Sequence, residues 1–217
     1  MTDNVAKRVR ALIAEGRAHW REARRAAALV SAEHAIALAA NSGAPNLVDA
    51  LVFAADICAR QHSHESLVKA QRYYLRALDL DVMNSDPSQR VELSGQAALV
   101  SLQLNDYAEA VRLLRGAVNG PGGDYYHELL IDALVGAGLW SEAVERARER
   151  LALTHHAFEK VSLYRNMSIS LVALGDVNGA RECVRAALGL LAKSSGERAE
   201  RLRAEIESTL SATAEDD

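Results

Sequence analysis

Proline, cysteine and aromatic residues are all scarce in this chain. Among 217 residues there are three prolines and two cysteines, and phenylalanine, tryptophan and tyrosine together make up 5%. Few prolines means few obligatory helix breaks. With alanine and leucine dominating and β-branched and aromatic residues sparse, the composition suits packed helices rather than sheets, and no strands are expected. Cys58 and Cys183 each fall inside a helical apolar pattern, so they read as buried thiols and not as a disulfide. Long hydrophobic runs are missing too, and nothing approaches the roughly 20 apolar residues that would cross a bilayer. The start, Met1-Thr2-Asp3-Asn4, runs into Lys7-Arg8-Val9-Arg10 with no signal-peptide core behind it. A reduced, cytoplasmic protein is the expectation. A net charge of −4 and a pI near 6.0 give no global reason to expect nucleic acid or an acidic membrane as partner.

What the chain does have is recurrence. Four times an alanine is followed four residues later by a large or aliphatic residue, and three residues after that by another alanine or its substitute. The sets are Ala70/Tyr74/Ala77, Ala110/Leu114/Ala117, Ala143/Ala147/Arg150 and Ala180/Val184/Ala187, with leading alanines 40, 33 and 37 residues apart. Such a period marks helical hairpins that stack on copies of themselves, because one hairpin cannot bury its apolar face alone. The prolines agree. Pro45, Pro87 and Pro121 each sit in a Gly-, Asn- or Ser-rich cluster between hairpins. Turns inside hairpins read Gln61-His62-Ser63-His64, Leu104-Asn105-Asp106, Ala137-Gly138-Leu139 and Leu174-Gly175-Asp176. The predicted elements are a helical region over 3–42 breaking near Gly16, then pairs at 46–61 with 64–81, 88–104 with 106–119, 123–137 with 139–153, and 156–174 with 176–193. A last helix over 196–213 carries a stripe of Ala199, Leu202, Ile206 and Leu210.

The turn and second-helix openings Asp106-Tyr107-Ala108-Glu109-Ala110, Trp140-Ser141-Glu142-Ala143 and Gly175-Asp176-Val177-Asn178-Gly179-Ala180 resemble the tetratricopeptide repeat family. The resemblance covers about residues 45 to 195 and implies an all-α, right-handed superhelical solenoid of antiparallel helix pairs. It implies one domain over 1–217: an atypical N-terminal unit at 1–44, repeats over 45–195, a capping helix at 196–213 and an acidic tail at 214–217. The sequence departs from the family at Ser94, His127 and Tyr164, where Trp is frequent, and at Cys58, Ala98, Ile131 and Ser168, where Gly is favoured. Ile131 is expected to push its paired helix away or to alter the local superhelix. The longer spacings are similar to extended repeats of bacterial regulatory and peptide-sensing proteins. In the N-terminal unit two registers compete: Trp20-Arg21-Glu22-Ala23 mimics Trp140-Ser141-Glu142-Ala143, and Ala28/Ala32/Ala35 fits the second-helix spacing.

Candidate chemistry is thin. His62-Ser63-His64-Glu65 offers two imidazoles and a carboxylate, but histidines at i and i+2 do not share a helix face, so a junction capped by Ser63 is expected instead of a metal site. His155-His156 reads the same way. Gly120-Pro121-Gly122-Gly123 lacks the preceding strand of a phosphate loop, and no nucleophile elbow or activated thiol is present. No enzyme, metal or cofactor is expected.

Surfaces are more informative. Residues 7 to 25 carry Lys7, Arg8, Arg10, Arg17, Arg21, Arg24 and Arg25 against Glu15 and Glu22, while residues 31 to 59 contain Glu33, Asp49 and Asp56 and no Lys or Arg. The family resemblance implies that first helices line a concave groove. It places Asp56, Gln96, Tyr125, Glu128, Asp132, Arg165 and Asn166 on that lining. The pattern that clamps a C-terminal carboxylate in chaperone-binding members is missing, with Gly95 and Leu99 at two of its positions. The expected function is a scaffold or adaptor module that binds a protein or peptide segment in the groove. The alternatives are a regulatory sensor of a small peptide or metabolite, and a nucleic-acid-associated protein acting through the basic N-terminal helix.

Overall fold

The structure, a computed structural model, describes residues 2–42, 46–80, 86–192 and 196–214. The described residues hold helices and no strand, and they group into two compact units, Met1–Gly123 and Asp124–Asp217. The first unit contains α1 (Thr2–Arg21), α2 (Arg25–Ser42), α3 (Leu47–Ala59), α4 (His64–Leu80), α5 (Pro87–Gln103) and α6 (Tyr107–Ala117). The second contains α7 (His127–Gly136), α8 (Trp140–Leu153), α9 (Ala157–Ala173), α10 (Val177–Leu191) and α11 (Glu197–Ala214). A short 3₁₀ turn, Gly123–Tyr126, precedes α7. Consecutive helices pack as pairs: α1 on α2, α3 on α4, α5 on α6, α7 on α8 and α9 on α10.

One backbone device closes all five hairpins. Ala23, His62, Asn105, Gly138 and Gly175 adopt left-handed conformations with φ of 59°, 55°, 58°, 73° and 81°. At Ala23, Asn105, Gly138 and Gly175 the N–H of the left-handed residue donates to the carbonyl three residues back. The N–H of the next residue donates to the carbonyl five back, which satisfies the last carbonyls of the first helix. Side chains then open the second helix: Asp106 accepts from the Glu109 N–H at 3.3 Å, Asp176 from the Gly179 N–H at 2.9 Å, and Ser63 from the Ser66 N–H at 3.2 Å. Five residues after each left-handed residue comes a buried apolar side chain: Ala28, Leu67, Ala110, Ala143 and Ala180.

This alignment corrects two sequence expectations. In α4 the repeat position is Leu67, and Ala70 lies a turn beyond it. The N-terminal break falls at Glu22–Arg24 and not at Gly16, so Ala28/Ala32/Ala35 is the true register and Trp20 ends a first helix. Residues 2–42 form an ordinary hairpin with the same turn as the others. Gly16 is a packing residue inside α1: a Cβ there would lie 2.7 Å from Cε1 of Phe53, so only glycine lets that ring lie against the helix.

Polar links tie successive hairpins together. In the first unit, Gln71 of α4 donates to Ser101 of α5 at 3.1 Å and to the α6 cap Asp106 at 2.8 Å. In the second, Arg150 of α8 meets Glu159 of α9 at 2.6 Å, and the Thr154 hydroxyl donates to the same carboxylate. Ile131 is accommodated inside the core of the second unit. It is 1% exposed in a core with Val144, Leu163, Met167 and Leu171, where Ala147 and Ala180 supply the room. In the C-terminal stripe Ala199 and Ile206 are buried with Val161, Val184, Ala187 and Leu191, and Leu202 is partly buried against them. Arg203 also donates to the Leu191 carbonyl at 3.2 Å, answering an open helix end. The expected fourth stripe member, Leu210, has a side chain outside the described residues, as do residues 215–217 of the acidic tail.

Candidate functional site

The first helices of the first unit enclose a groove of about 870 Å³. Arg17 and Trp20 come from α1, Val48 to Arg60 from α3, and Gln89 to Gln103 from α5, while Tyr74 of α4 reaches up from the second-helix layer. The α5 wall is one stripe, Gln89, Glu92, Gln96, Leu99 and Gln103, spaced by three and four residues so that all face the same way. The floor is apolar, with Phe53, Ile57, Leu93 and Val100 buried.

Charge on this lining is set by packing. The Tyr74 hydroxyl, on a ring only 2% exposed, donates to Asp56 at 2.5 Å. Burial raises the Asp56 carboxyl above its ordinary range; the Tyr74 hydrogen bond, Arg60 and Arg17 oppose that, and Glu92 adds to it. The same burial and the Asp56 carboxylate push the Tyr74 hydroxyl far up, so it stays a donor at every physiological pH. Arg17 lies over the Phe53 ring at 5.8 Å, and Arg60 and Arg25 lie over Trp20 at 5.9 and 5.8 Å. Such stacking fixes a guanidinium while leaving its N–H edge available.

Of the residues expected on the groove lining, Asp56 and Gln96 stand in this cavity. The other five belong to the second unit. Tyr125 is 73% exposed on the 3₁₀ turn, edge-on to Tyr126, and Glu128 is half-buried in the first turn of α7. Asp132, Arg165 and Asn166 form a network: Asn166, 4% exposed, donates to Asp132 at 2.6 Å, and Arg165 lies 3.5 Å from Asp132. Sequence reasoning missed Arg17, Trp20, Phe53, Arg60 and the flanking glutamines. The 3-4-3-4 spacing from Gln89 to Gln103 was a readable signal, whereas Arg17 and Trp20 were hidden by the misplaced break at Gly16.

His62 takes the left-handed turn position and lines the groove edge, and no three His, Cys, Asp or Glu side chains converge among the described residues. Cys58 and Cys183 are free and buried, and burial pushes the Cys58 thiol up to about 11. Gly123 is needed for close packing, since a Cβ would meet the Ala117 carbonyl at 2.4 Å. No helix among the described residues is long and apolar enough to cross a membrane.

Several solved structures share the helical-repeat fold. YrrB, described as a TPR protein with an unusual peptide-binding site, is 15% identical with a TM-score of 0.68, over 91% of this chain and 90% of its own. The TPR-like repeats of a putative kinesin light chain from Podosopora anserina are 16% identical with a TM-score of 0.64, over 88% and 99%. The MamA protein is 14% identical with a TM-score of 0.59, over 86% and 93%. No protein-family model matches the sequence, and no curated protein matches it. The chain has the tetratricopeptide-repeat fold, an all-α array of antiparallel helix pairs.

Proposed function

We propose that the chain is a protein-interaction module that binds a peptide segment of a partner in the groove of its first unit. The observation that carries this reading is the groove itself. An apolar floor bordered by side-chain amides and charges offers burial to a partner's apolar side chains and hydrogen bonds to its main chain. YrrB, with the same fold, is described as having a peptide-binding site, which supports the reading. Asp56 and Gln96 are the proposed contacts from the expected set, and Tyr125, Glu128, Asp132, Arg165 and Asn166 are proposed as partner contacts of the second unit. No catalytic or cofactor role is proposed.

The test is selection from a display library of random 12-residue peptides against the whole chain, with Val52→Glu as the groove variant. Val52 is half-buried on the lining, so a carboxylate can reach water while spoiling the floor. Capture of the selected peptides should fall at least tenfold with the helical spectrum unchanged. Capture that survives Val52→Glu places the binding surface elsewhere.

A further inference from the structure

Independently of the groove, we propose that α1 is a docking surface for double-helical nucleic acid, which it holds by the sugar–phosphate backbone through a row of basic side chains. The observation behind it is a segregation of charge. The whole chain has a net charge of −4, yet residues 1–25 carry seven Lys and Arg against three Asp and Glu, and the remaining residues carry 18 against 26. All seven cations are exposed. The helix arranges four of them: Lys7, Arg10, Arg17 and Arg21 follow at intervals of three, seven and four residues and form one stripe about 21 Å long. No carboxylate lies on the stripe between Lys7 and Arg21. Glu15 falls on the other side of α1, 3.5 Å from His19, and Glu22 in the following turn pairs with Arg24.

The positive excess survives a full count. With Arg17 left to the groove carboxylate Asp56 and Arg24 to Glu22, five cations still face two carboxylates, Asp3 and Glu15. The guanidinium groups of Arg10 and Arg21 make no hydrogen bond or ion pair among the described residues. Six of the seven cations are arginines, whose planar fork bonds phosphate oxygens bidentately. A bilayer is a poorer match, because the apolar residues Ala6, Val9 and Ile13 are buried in the hairpin and no large hydrophobic side chain among the described residues of α1 is exposed for insertion. A single strand is held on open aromatic faces, and Trp20 is half-buried with Arg25 and Arg60 over its ring at 5.8 and 5.9 Å. A duplex needs neither device. Duplex DNA carries one phosphate charge per about 1.7 Å of its axis, so a stripe of about 21 Å runs beside about a dozen of them. Because α1 is packed against α2, the spacing of the stripe is set before binding. Phosphate contacts position a protein without reading bases, so binding is expected to be independent of sequence.

The experiment is fluorescence anisotropy of labelled duplex DNA of about 20 base pairs, in two unrelated sequences, titrated with the whole chain over salt from about 50 to about 200 mM. The proteins are wild type, Arg10→Gln/Arg21→Gln, the exposed α4 pair Arg72→Gln/Arg76→Gln as a control of equal charge change, and the groove variant Val52→Glu, each checked for an unchanged helical spectrum. Wild type should bind both sequences within about twofold of each other, and four phosphate contacts should weaken binding roughly a hundredfold across that salt range. Arg10→Gln/Arg21→Gln should weaken binding at least tenfold at low salt and reduce the slope of log affinity against log salt by about 2, whereas the α4 pair and Val52→Glu should stay within about threefold of wild type. The inference is overturned if the duplex does not bind at low salt, if binding survives Arg10→Gln/Arg21→Gln, or if the α4 pair lowers it equally. Loss of duplex binding in Val52→Glu would move the contact to the groove and overturn it as well. So would tighter binding, dependent on Arg10 and Arg21, to a single strand, to poly-glutamate standing for an acidic protein, or to phosphatidylserine vesicles. None of these results bears on peptide capture in the groove, which Val52→Glu tests separately.

Discussion

Replacing Ile206 with alanine should weaken the second unit far more than a change near a chain terminus ordinarily does. Ile206 is 0% exposed, and besides it α11 is held by buried Ala199 and partly buried Leu202. Truncating a fully buried isoleucine costs about 2–5 kcal/mol. At roughly 0.05–0.15 kcal/mol per residue, a unit the size of Asp124–Asp217 has a total stability of about 5–14 kcal/mol, so this one side chain carries a large share. The loss acts first on docking. An 18-residue helix is marginal by itself, so α11 should detach and uncover Val161, Val184, Ala187 and Leu191 before the unit melts. Urea unfolding followed by circular dichroism, with hydrophobic-dye binding and hydrogen exchange, reads both stages. Glu197→Ala, an exposed change on the same helix, is the control and should cost less than about 0.5 kcal/mol. A cost for Ile206→Ala below about 1 kcal/mol with no rise in dye binding would refute the capping role. So would a soluble, stable monomer after deletion of residues 196–217.

Gly16→Ala should destabilise the first unit despite alanine's better helix propensity. The gain of about 1 kcal/mol is set against overpacking of about 1–3 kcal/mol where the new methyl meets Phe53; an increase in melting temperature would contradict the packing reading. Burial raises the Asp56 carboxyl in the folded state, so the native form holds its proton more tightly than the unfolded one. The stability from this group is complete below pH 3.8 and is lost as pH rises through the folded value; Asp56→Asn should flatten that fall in pH-dependent urea melts while keeping the Tyr74 hydrogen bond. Glu159 behaves with the opposite sign. Burial alone would raise its carboxyl, but the hydrogen bonds from Thr154 and Arg150 hold it below 4.5, so its stability is present above that pH and lost as pH falls through the folded value. Glu159→Gln should remove the acid-side loss at a cost of roughly 1–3 kcal/mol at neutral pH, and an unchanged acid profile would count against the pairing.

Most of the helical array could be read in the sequence because its signals are local. Asn105, Gly138 and Gly175 suit a left-handed turn, and the buried alanine five residues later makes each hairpin visible. Where the turn residue was Ala23, which has no such preference, the break was assigned to Gly16, whose purpose is a contact with Phe53 more than thirty residues away. Leu67 escaped for a related reason: a larger side chain fills the place that alanine takes in the other hairpins. The groove was half legible. Asp56 and Gln96 were placed on a first-helix lining by the family resemblance, but the Tyr74–Asp56 hydrogen bond and the stacking of Arg17 and Arg60 on Phe53 and Trp20 arise from packing between helices, and no pattern within one segment announces them.

The most direct measurement is nuclear magnetic resonance chemical-shift mapping of the whole chain against the tightest 12-residue peptide from the display selection. Perturbations should concentrate at Arg17, Trp20, Val52, Asp56, Arg60 and along α5 from Gln89 to Gln103, with the Trp20 indole among the largest. Perturbations centred on other faces of the helices, with those residues unmoved, would contradict the groove as the binding site.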